Sequence, residues 1–298
     1  MTKLPHVFVI GGTSVDEIIP LDKLPDPVPA TIFASSTKKV GSTGSGKGLS
    51  LHLLGVPTVL HSLIGQDPEG DMIKAFFEKY KLPFIYDIDP KGTEKHVNLM
   101  ARNGDRISFF TRIGSSGVNL QNLAIRQAIN DADLIALNII SYTKQLIPLL
   151  EEAKKPIWVD LHDYQPENPY YDDFINVAEV LFISSDRLPD YEEVMIRFIK
   201  SGKKMVICTH GDKGATAIDQ DLHWHDCAAL PYKYVDGNGA GDNFFSGFLY
   251  GYFHDQPLDV CMKYATIVAG LCISSGEIAN PRLSADLLEK EFKRFYSK

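Results

Sequence analysis

The chain has 298 residues, 44% hydrophobic and 23% charged, with a formal charge of −8, values that fit a globular protein with a large core and argue against a polyanion such as nucleic acid as partner. Its four cysteines, Cys208, Cys227, Cys261 and Cys272, have no C-x-x-C spacing and lie mostly in apolar runs, which predicts reduced, buried thiols rather than a disulfide scaffold or a zinc site. No apolar run nears the ~18 residues of a membrane span, and "MTKLPHVFVIGG" enters a strand without signal-peptide features, so no membrane partner and a cytoplasmic location are expected.

In chain order, "HVFVIGG", "ADLIALNII", "PIWVDLH", "EVLFIS" and "KMVICTHG" are Val- and Ile-rich runs without polar alternation, as strands buried on both faces of a parallel sheet require. Amphipathic helices are predicted between them, over Gly70–Lys81, Gln121–Ala132 and Tyr191–Ser201, so the fold class is α/β, a doubly wound, mostly parallel sheet flanked by helices. Two segments, "TIFASSTKKV" and "KHVNLMARNGDRISFFTRIG", alternate polar and apolar residues instead, and the second holds the hairpin signal Asn103-Gly104. They predict a small antiparallel β lid built from about residues 13–42 and 84–114. No internal repeat or low-complexity linker interrupts the chain.

The stretch "VGSTGSGKGLSLHLLG" resembles a P-loop at Gly41, Gly46 and Lys47, but Gly48 stands where Ser or Thr must hold Mg²⁺. The run before it alternates, whereas a P-loop follows a buried parallel strand. A nicotinamide-binding Rossmann site has only the fragment "GGTS" in its favour.

The strongest chemical signal is "VDGNGAGDNFFSGFLYGYF". Glycines 237, 239 and 241 end at Asp242, after which Phe244, Phe245, Phe248, Leu249 and Tyr252 recur at helical spacing, so the glycines open a helix. Such a start offers unpaired N–H groups and a dipole to a phosphate. Asp242 in the first turn could serve as cap or as base.

With Asp236 six residues earlier, the pattern D-x-x-G-A-G-D-x-F-x-x-G resembles the ribokinase-like, PfkB family of carbohydrate kinases. "FVIGGTSVDEI" looks like the family's first strand and sugar-binding turn. "GSTGSGKGLSLHLLG" is similar to its G-G-x-G-x-N-x-A-x-x-L-x-x-L-G segment and "IGQDPEGDMI" to its G-x-D-x-x-G. "VICTHGDKGA" resembles the nucleotide-side T-x-G-x-x-G-A hairpin, and "ATIVAGLCISSG" the helix under the adenine. The resemblance spans nearly the whole chain and implies one ribokinase-like α/β domain over residues 1–298. It implies an ATP-dependent phosphotransferase acting on a hydroxyl of a small sugar or related polyol, with Asp242 as base and Gly239, Ala240 and Gly241 as anion hole. Asp16, Gly41, Ser42, Gly46 and Lys47 would face the acceptor, and Thr209, Gly211, Gly214, Asp236 and Gly276 the ATP. Mg²⁺ is the implied metal, its ligands unknown, and a monovalent cation beside the glycine loop is a further implication.

Several positions depart from that pattern. Gly46 replaces an Asn that contacts sugar, and Lys47 either compensates or points to water from a helix start. Ser184 and Arg187 stand in place of the N-x-x-E whose acid helps organise Mg²⁺, Gly237 replaces a Thr near the monovalent-cation site, and Asp160 and His162 occupy a D-x-N-x-R position. His162 could contact a phosphate or be structural. Alternatives within the family are a nucleoside kinase, with Phe33, Phe109 and Phe110 stacking on a base, and a sugar-phosphate kinase using Lys38, Lys39, Arg102, Arg106 and Arg112. A non-catalytic sugar- or nucleotide-binding paralogue is a third. A lid sheet with open edges also predicts a homodimer.

Overall fold

The computed structural model describes residues 4–102, 104–120 and 123–296. Among them a nine-stranded sheet is formed by β1 (Val7–Ile10), β4 (Thr58–Ile64), β5 (Phe84–Ile88), β8 (Leu134–Asn138), β9 (Ile157–Asp160), β10 (Val180–Ser184), β11 (Met205–Thr209), β12 (Ala215–Asp219) and β13 (Trp224–Cys227). Its order is β13-β12-β11-β10-β9-β8-β1-β4-β5, parallel from β5 to β11 and antiparallel over the last two pairings. The five apolar runs are therefore its central strands, and residues alternate between two cores. Val7 and Val9 face one layer and Phe8 and Ile10 the other. The first layer holds α1 (Thr43–Leu53), α2 (Pro68–Tyr80), α7 (Ala240–Phe253), α8 (Leu258–Ile273) and α9 (Ala285–Tyr296). The second holds α3 (Leu123–Asp131), α4 (Ile147–Ala153), α5 (Asp172–Val177) and α6 (Tyr191–Lys200). The helices predicted from periodicity match α2, α3 and α6, with Gln121 outside the described residues. Asp67 sets the start of α2, accepting from Gly70 N with Pro68 at the first helical position.

Trp158 on β9 packs against Phe182, Phe245 and Phe248. Burial of each such ring stabilises the fold by about 1.5–3 kcal/mol and fixes α7 over the ends of β9 and β10.

The smaller sheet is β3-β2-β6-β7, formed by β2 (Ser14–Leu21), β3 (Thr37–Gly41), β6 (Glu94–Ala101) and β7 (Arg106–Arg112). Its outer pairings, β2–β3 and β6–β7, are antiparallel, and one parallel pair, β2–β6, joins them. The β6–β7 hairpin turns through Gly104 at φ 94°, with Gly104 N donating to Ala101 O; Asn103 lies outside the described residues.

Two expectations about this sheet change. Phe84–Ile88 is β5, the edge of the large sheet, paired with β4 rather than with the lid. Of "TIFASSTKKV" only Thr37 onward is strand. The residues before it, 31–36, join no strand and lie exposed. All four cysteines are reduced and buried. No helix among the described residues is long and apolar enough to cross a membrane.

Candidate active site

Helix α7 opens at Ala240 behind Gly239, a left-handed N-cap at φ 78°. Asp242 in its first turn makes no capping bond. Instead its Oδ1 accepts from Lys47 Nζ at 2.5 Å, and the same ammonium donates to Asp160 Oδ2 at 2.9 Å. Of the two alternatives for Lys47, pointing to water is thus excluded. Lys47 is 1% exposed, because α1 packs against α7 and β4 and keeps its residues 44–51 buried. Its ammonium also lies 5.3 Å from the centroid of the Phe245 ring.

Gly46 permits this arrangement. A Cβ there would stand 2.8 Å from the Asp242 Cβ and Oδ2, closer than real Cβ contacts allow, so a side chain at 46 would push Asp242 out of place. Asp242 Oδ2 accepts no hydrogen bond from the described residues, whereas Oδ1 is committed to Lys47. Of the expected anion-hole donors, Ala240 N reaches back to Gly237 O at 3.3 Å.

Burial pulls the Lys47 ammonium down, but the flanking carboxylates of Asp160 and Asp242 outweigh it and hold the group charged. Burial raises Asp160, yet His162 and Lys47 bring it below the usual carboxylate range. Asp242 stays above that range, since burial outweighs the pull of Lys47 and His162. His162, at φ 50°, donates its N–H to Asp160 Oδ1 and sets Nδ1 3.3 Å from Asp160 Oδ2. Its Nε2 is buried without a partner among the described residues.

The second half of the site lies on the smaller sheet. Asp16 on β2 is buried, and its carboxylate accepts from Ser14 Oγ (2.6 Å) and Asn98 Nδ2 (3.3 Å) and sits 3.0 Å from His96 Nδ1. His96 Nε2 meets Glu94 at 2.9 Å. Burial disfavours the imidazolium, but hydrogen bonds and charge from Asp16 and Glu94 override that and lift His96 to about 9. Sequence reading missed His96, Glu94 and Asn98. Gly41 lies against the Asp16 carboxylate so closely that any Cβ would collide with it. Ser42 follows in a left-handed conformation, φ 73°, a strain that L-residues rarely carry outside functional turns.

Asp16 and Lys39 share one cleft with Asp236, Asn238, Gly276 and Glu277. Two contacts from the smaller sheet cross it. Lys39 Nζ bonds Gly276 O and pairs with Glu277 at 3.3 Å, and Arg106 reaches Asn238 Oδ1 at 3.1 Å. Asp236 and Gly276, expected on the ATP side, therefore stand beside Asp16, expected on the acceptor side. Asp236 itself accepts from Asn238 N at 2.8 Å.

Thr209, Gly211 and Gly214 are held apart from this cluster. They sit at the β11–β12 hairpin, where His210 meets Ser185 and Thr216. The five cations considered for a sugar phosphate are already engaged: Lys38 with Glu69, Lys39 with Glu277, Arg102 with Asp22, Arg106 with Asn238 and Arg112 with Asp67.

Asp160, His162 and Asp242 bring ligand atoms within 4.8 Å of one another. A divalent ion among them would face the Lys47 ammonium already bonded to both carboxylates. Ser184 and Arg187, where the acid of N-x-x-E would be, supply no carboxylate, and Ser184 Oγ is engaged by Asp186 N. The chain's own residues as arranged do not fit a protein-held Mg²⁺.

Residues 5–285 match the pfkB family of carbohydrate kinases. The chain is 29% identical over 273 residues to an acarbose 7(IV)-phosphotransferase of Actinoplanes sp., covering 90% of this chain and 91% of that protein. It is 24% identical over 285 residues to a nucleoside kinase of Methanothermobacter thermautotrophicus, covering 92% and 91%. In fold it is similar to a microbiome-derived acarbose kinase, with a TM-score of 0.86 at 24% identity over 97% of this chain and 99% of that one. It is also similar to Arabidopsis thaliana ribokinase complexed with ribose and ATP, with a TM-score of 0.77 at 19% identity over 97% and 99%. A match over residues 5–285, with the helix-opening glycine run and Asp242 inside it, makes this chain a member of the pfkB family of carbohydrate kinases, for which ATP is the implied phosphoryl donor.

Proposed function

We propose that this kinase transfers the γ-phosphoryl group of ATP to a hydroxyl of a small, unphosphorylated sugar or related polyol. The observation that carries the reading is Asp242, buried at the start of α7 with Oδ1 held by Lys47 and Oδ2 unbonded. Oδ2 takes the hydroxyl proton, the acceptor oxygen forms a bond to the γ-phosphorus, and the P–O bond to ADP breaks with its electrons leaving on ADP. The helix start at Gly239, Ala240 and Gly241 steadies the negative charge on the phosphoryl oxygens through the helix dipole and the N–H groups of Gly239 and Gly241, Ala240 N being drawn to Gly237 O. Asp16, oriented by His96, Ser14 and Asn98, accepts from acceptor hydroxyls, with Gly41 and Ser42 beside it. The Thr209–Gly214 hairpin serves the nucleotide. The smaller sheet acts as a lid over a single ribokinase-like domain, excluding water through the Lys39 and Arg106 contacts.

The buried acids Asp16 and Glu94 beside the proposed acceptor position weigh against a phosphorylated acceptor. The exposed Phe33 and Phe109 keep a nucleoside as the second reading. A panel of free sugars, pseudo-oligosaccharides, hexose phosphates and nucleosides, assayed for ADP release, tests the proposal. Turnover confined to unphosphorylated carbohydrates is the expected result. Turnover with nucleosides alone would transfer the assignment to them, and none with any acceptor would leave a binding paralogue.

The lid is also expected to dimerise the chain. Strand β7 is an unpaired edge exposing Ile107, Phe109 and Phe110, with Ile113 just beyond it. Sedimentation should give a dimer that Phe109→Glu converts to monomer; a monomeric wild type at micromolar concentration counts against it.

A further inference from the structure

Lys47 is an unusual residue to find at the centre of a packed helix pair. It occupies the second turn of α1, is fully enclosed, and donates to two carboxylates that lie 113 and 195 residues away along the chain. A buried ammonium is tolerated only where opposite charge and hydrogen bonds compensate its lost hydration. Here that compensation comes from Asp160 on one side and Asp242, the proposed base, on the other.

The geometry points to Lys47 as a positioning residue that fixes the Asp242 carboxylate through Oδ1, keeps it ionised and leaves Oδ2 free for the acceptor hydroxyl. Three features of the structure support this beyond the bond itself. Gly46, one residue earlier, leaves no room for a side chain and so admits the carboxylate against α1. Ser246 Oγ lies 3.4 Å from Lys47 O and donates to Asp242 O at 2.8 Å, tying the backbones of α1 and α7 together at this level. Asp160 is itself braced by the His162 N–H, so the ammonium is anchored at its far end rather than swinging between partners.

The groups facing Asp242 are few. They are Lys47 from α1, Asp160 and His162 from the end of β9, and Cys272 from α8, whose thiol is pushed up by burial first and by Asp242 and Asp236 second. Lys47 is the cation in direct contact with it. Without that charge, burial and the neighbouring Asp160 would favour the protonated acid, which cannot accept the hydroxyl proton.

This inference rests on Asp242 being the base, and the test separates the two. In Lys47→Ala, kcat should fall roughly 10- to 100-fold, within the worth of a mispositioned base. The acidic limb of the kcat profile should move to higher pH by about one unit or more. ADP affinity, measured directly, should remain within about 3-fold, because the side chain points to the carboxylates rather than to a phosphate. Added ethylammonium, filling the truncated space with a cation, should restore turnover and return the limb towards its wild-type position. If Lys47→Ala does not fold, Lys47→Met combined with Asp160→Asn removes one charge of each sign, and an upward displacement of the limb smaller than that of the single variant is expected, since the Asp160 repulsion goes with the Lys47 attraction.

An unmoved limb together with indifference to amines, while Asp242→Asn is inactive in the same assay, overturns the role of Lys47 and leaves the base assignment standing. Wild-type turnover in Asp242→Asn removes both. A loss of ADP affinity of ~10-fold or more, about 1.4 kcal/mol, would restore the P-loop reading of Gly41–Lys47 and overturn the proposal.

Discussion

Replacing Asp242 with Asn is expected to lower kcat by roughly 10²–10⁴, about 3–5 kcal/mol of barrier, while ADP binding and the fold persist. Asn keeps the size of the side chain and an oxygen that can still accept from Lys47, but it takes no proton. The contrasting role, that of a helix cap, would leave the rate of Asp242→Asn near wild type, since Asn caps about as well as Asp. That role has already lost its geometric basis, because Gly239 occupies the cap and Asp242 bonds no backbone N–H. Stability should change by no more than ~1 kcal/mol, because the Lys47 ammonium retains Asp160 as its charged partner. The measurement is kcat with the best acceptor found, alongside the thermal midpoint. Undiminished turnover would reduce the α7 start to a phosphate-binding loop.

Local signals in the chain carried the parts of this site that are local. Gly237 to Asp242 followed by apolar residues at helical spacing marks a helix start, and α7 begins where that pattern places it. The central strands were readable because burial on both faces leaves an unbroken apolar run, as in β1 and β8. Strand β5 misleads for the opposite reason: at the edge of the large sheet its residues alternate in exposure, which is also the signature of a lid strand. Residues 31–36, just before β3, carry the same alternation, yet no neighbouring strand takes up their donors and they stay exposed.

What the sequence hides is pairing at a distance. Lys47 meets Asp160 and Asp242 only after α1 and α7 have packed, and nothing near position 47 distinguishes a lysine bound for carboxylates from one bound for water. His96 was equally silent. It lies on a strand of the smaller sheet whose alternation fixes the face it points to but not that Asp16 and Glu94 converge on its ring.

His96 makes the part of the site on the smaller sheet sensitive to alkali, and the sign follows from its position above the ordinary histidine value. Lifted from 6.5 to about 9, it binds its proton more tightly folded than unfolded. Its stabilising contribution is therefore complete below pH 6.5 and is lost as pH rises through about 9. For a ring this well buried, a shift of that size corresponds to about 3 kcal/mol. Urea unfolding at pH 6 and pH 9.5 should show wild type losing stability of that order relative to His96→Asn, whose own curve lacks this component. Function should follow, since a neutral imidazole keeps a single N–H and can donate to only one of Glu94 and the Asp16 carboxylate that is proposed to hold the acceptor. The expected result is an alkaline limb near pH 9 in kcat/KM, which reports the free enzyme, with kcat at saturating acceptor changing less. Parallel stability curves for wild type and His96→Asn would mean that His96 is not held as an imidazolium between Asp16 and Glu94. In that case the orientation of Asp16 must come from Ser14 and Asn98 alone, and the acceptor should bind equally well on both sides of pH 9.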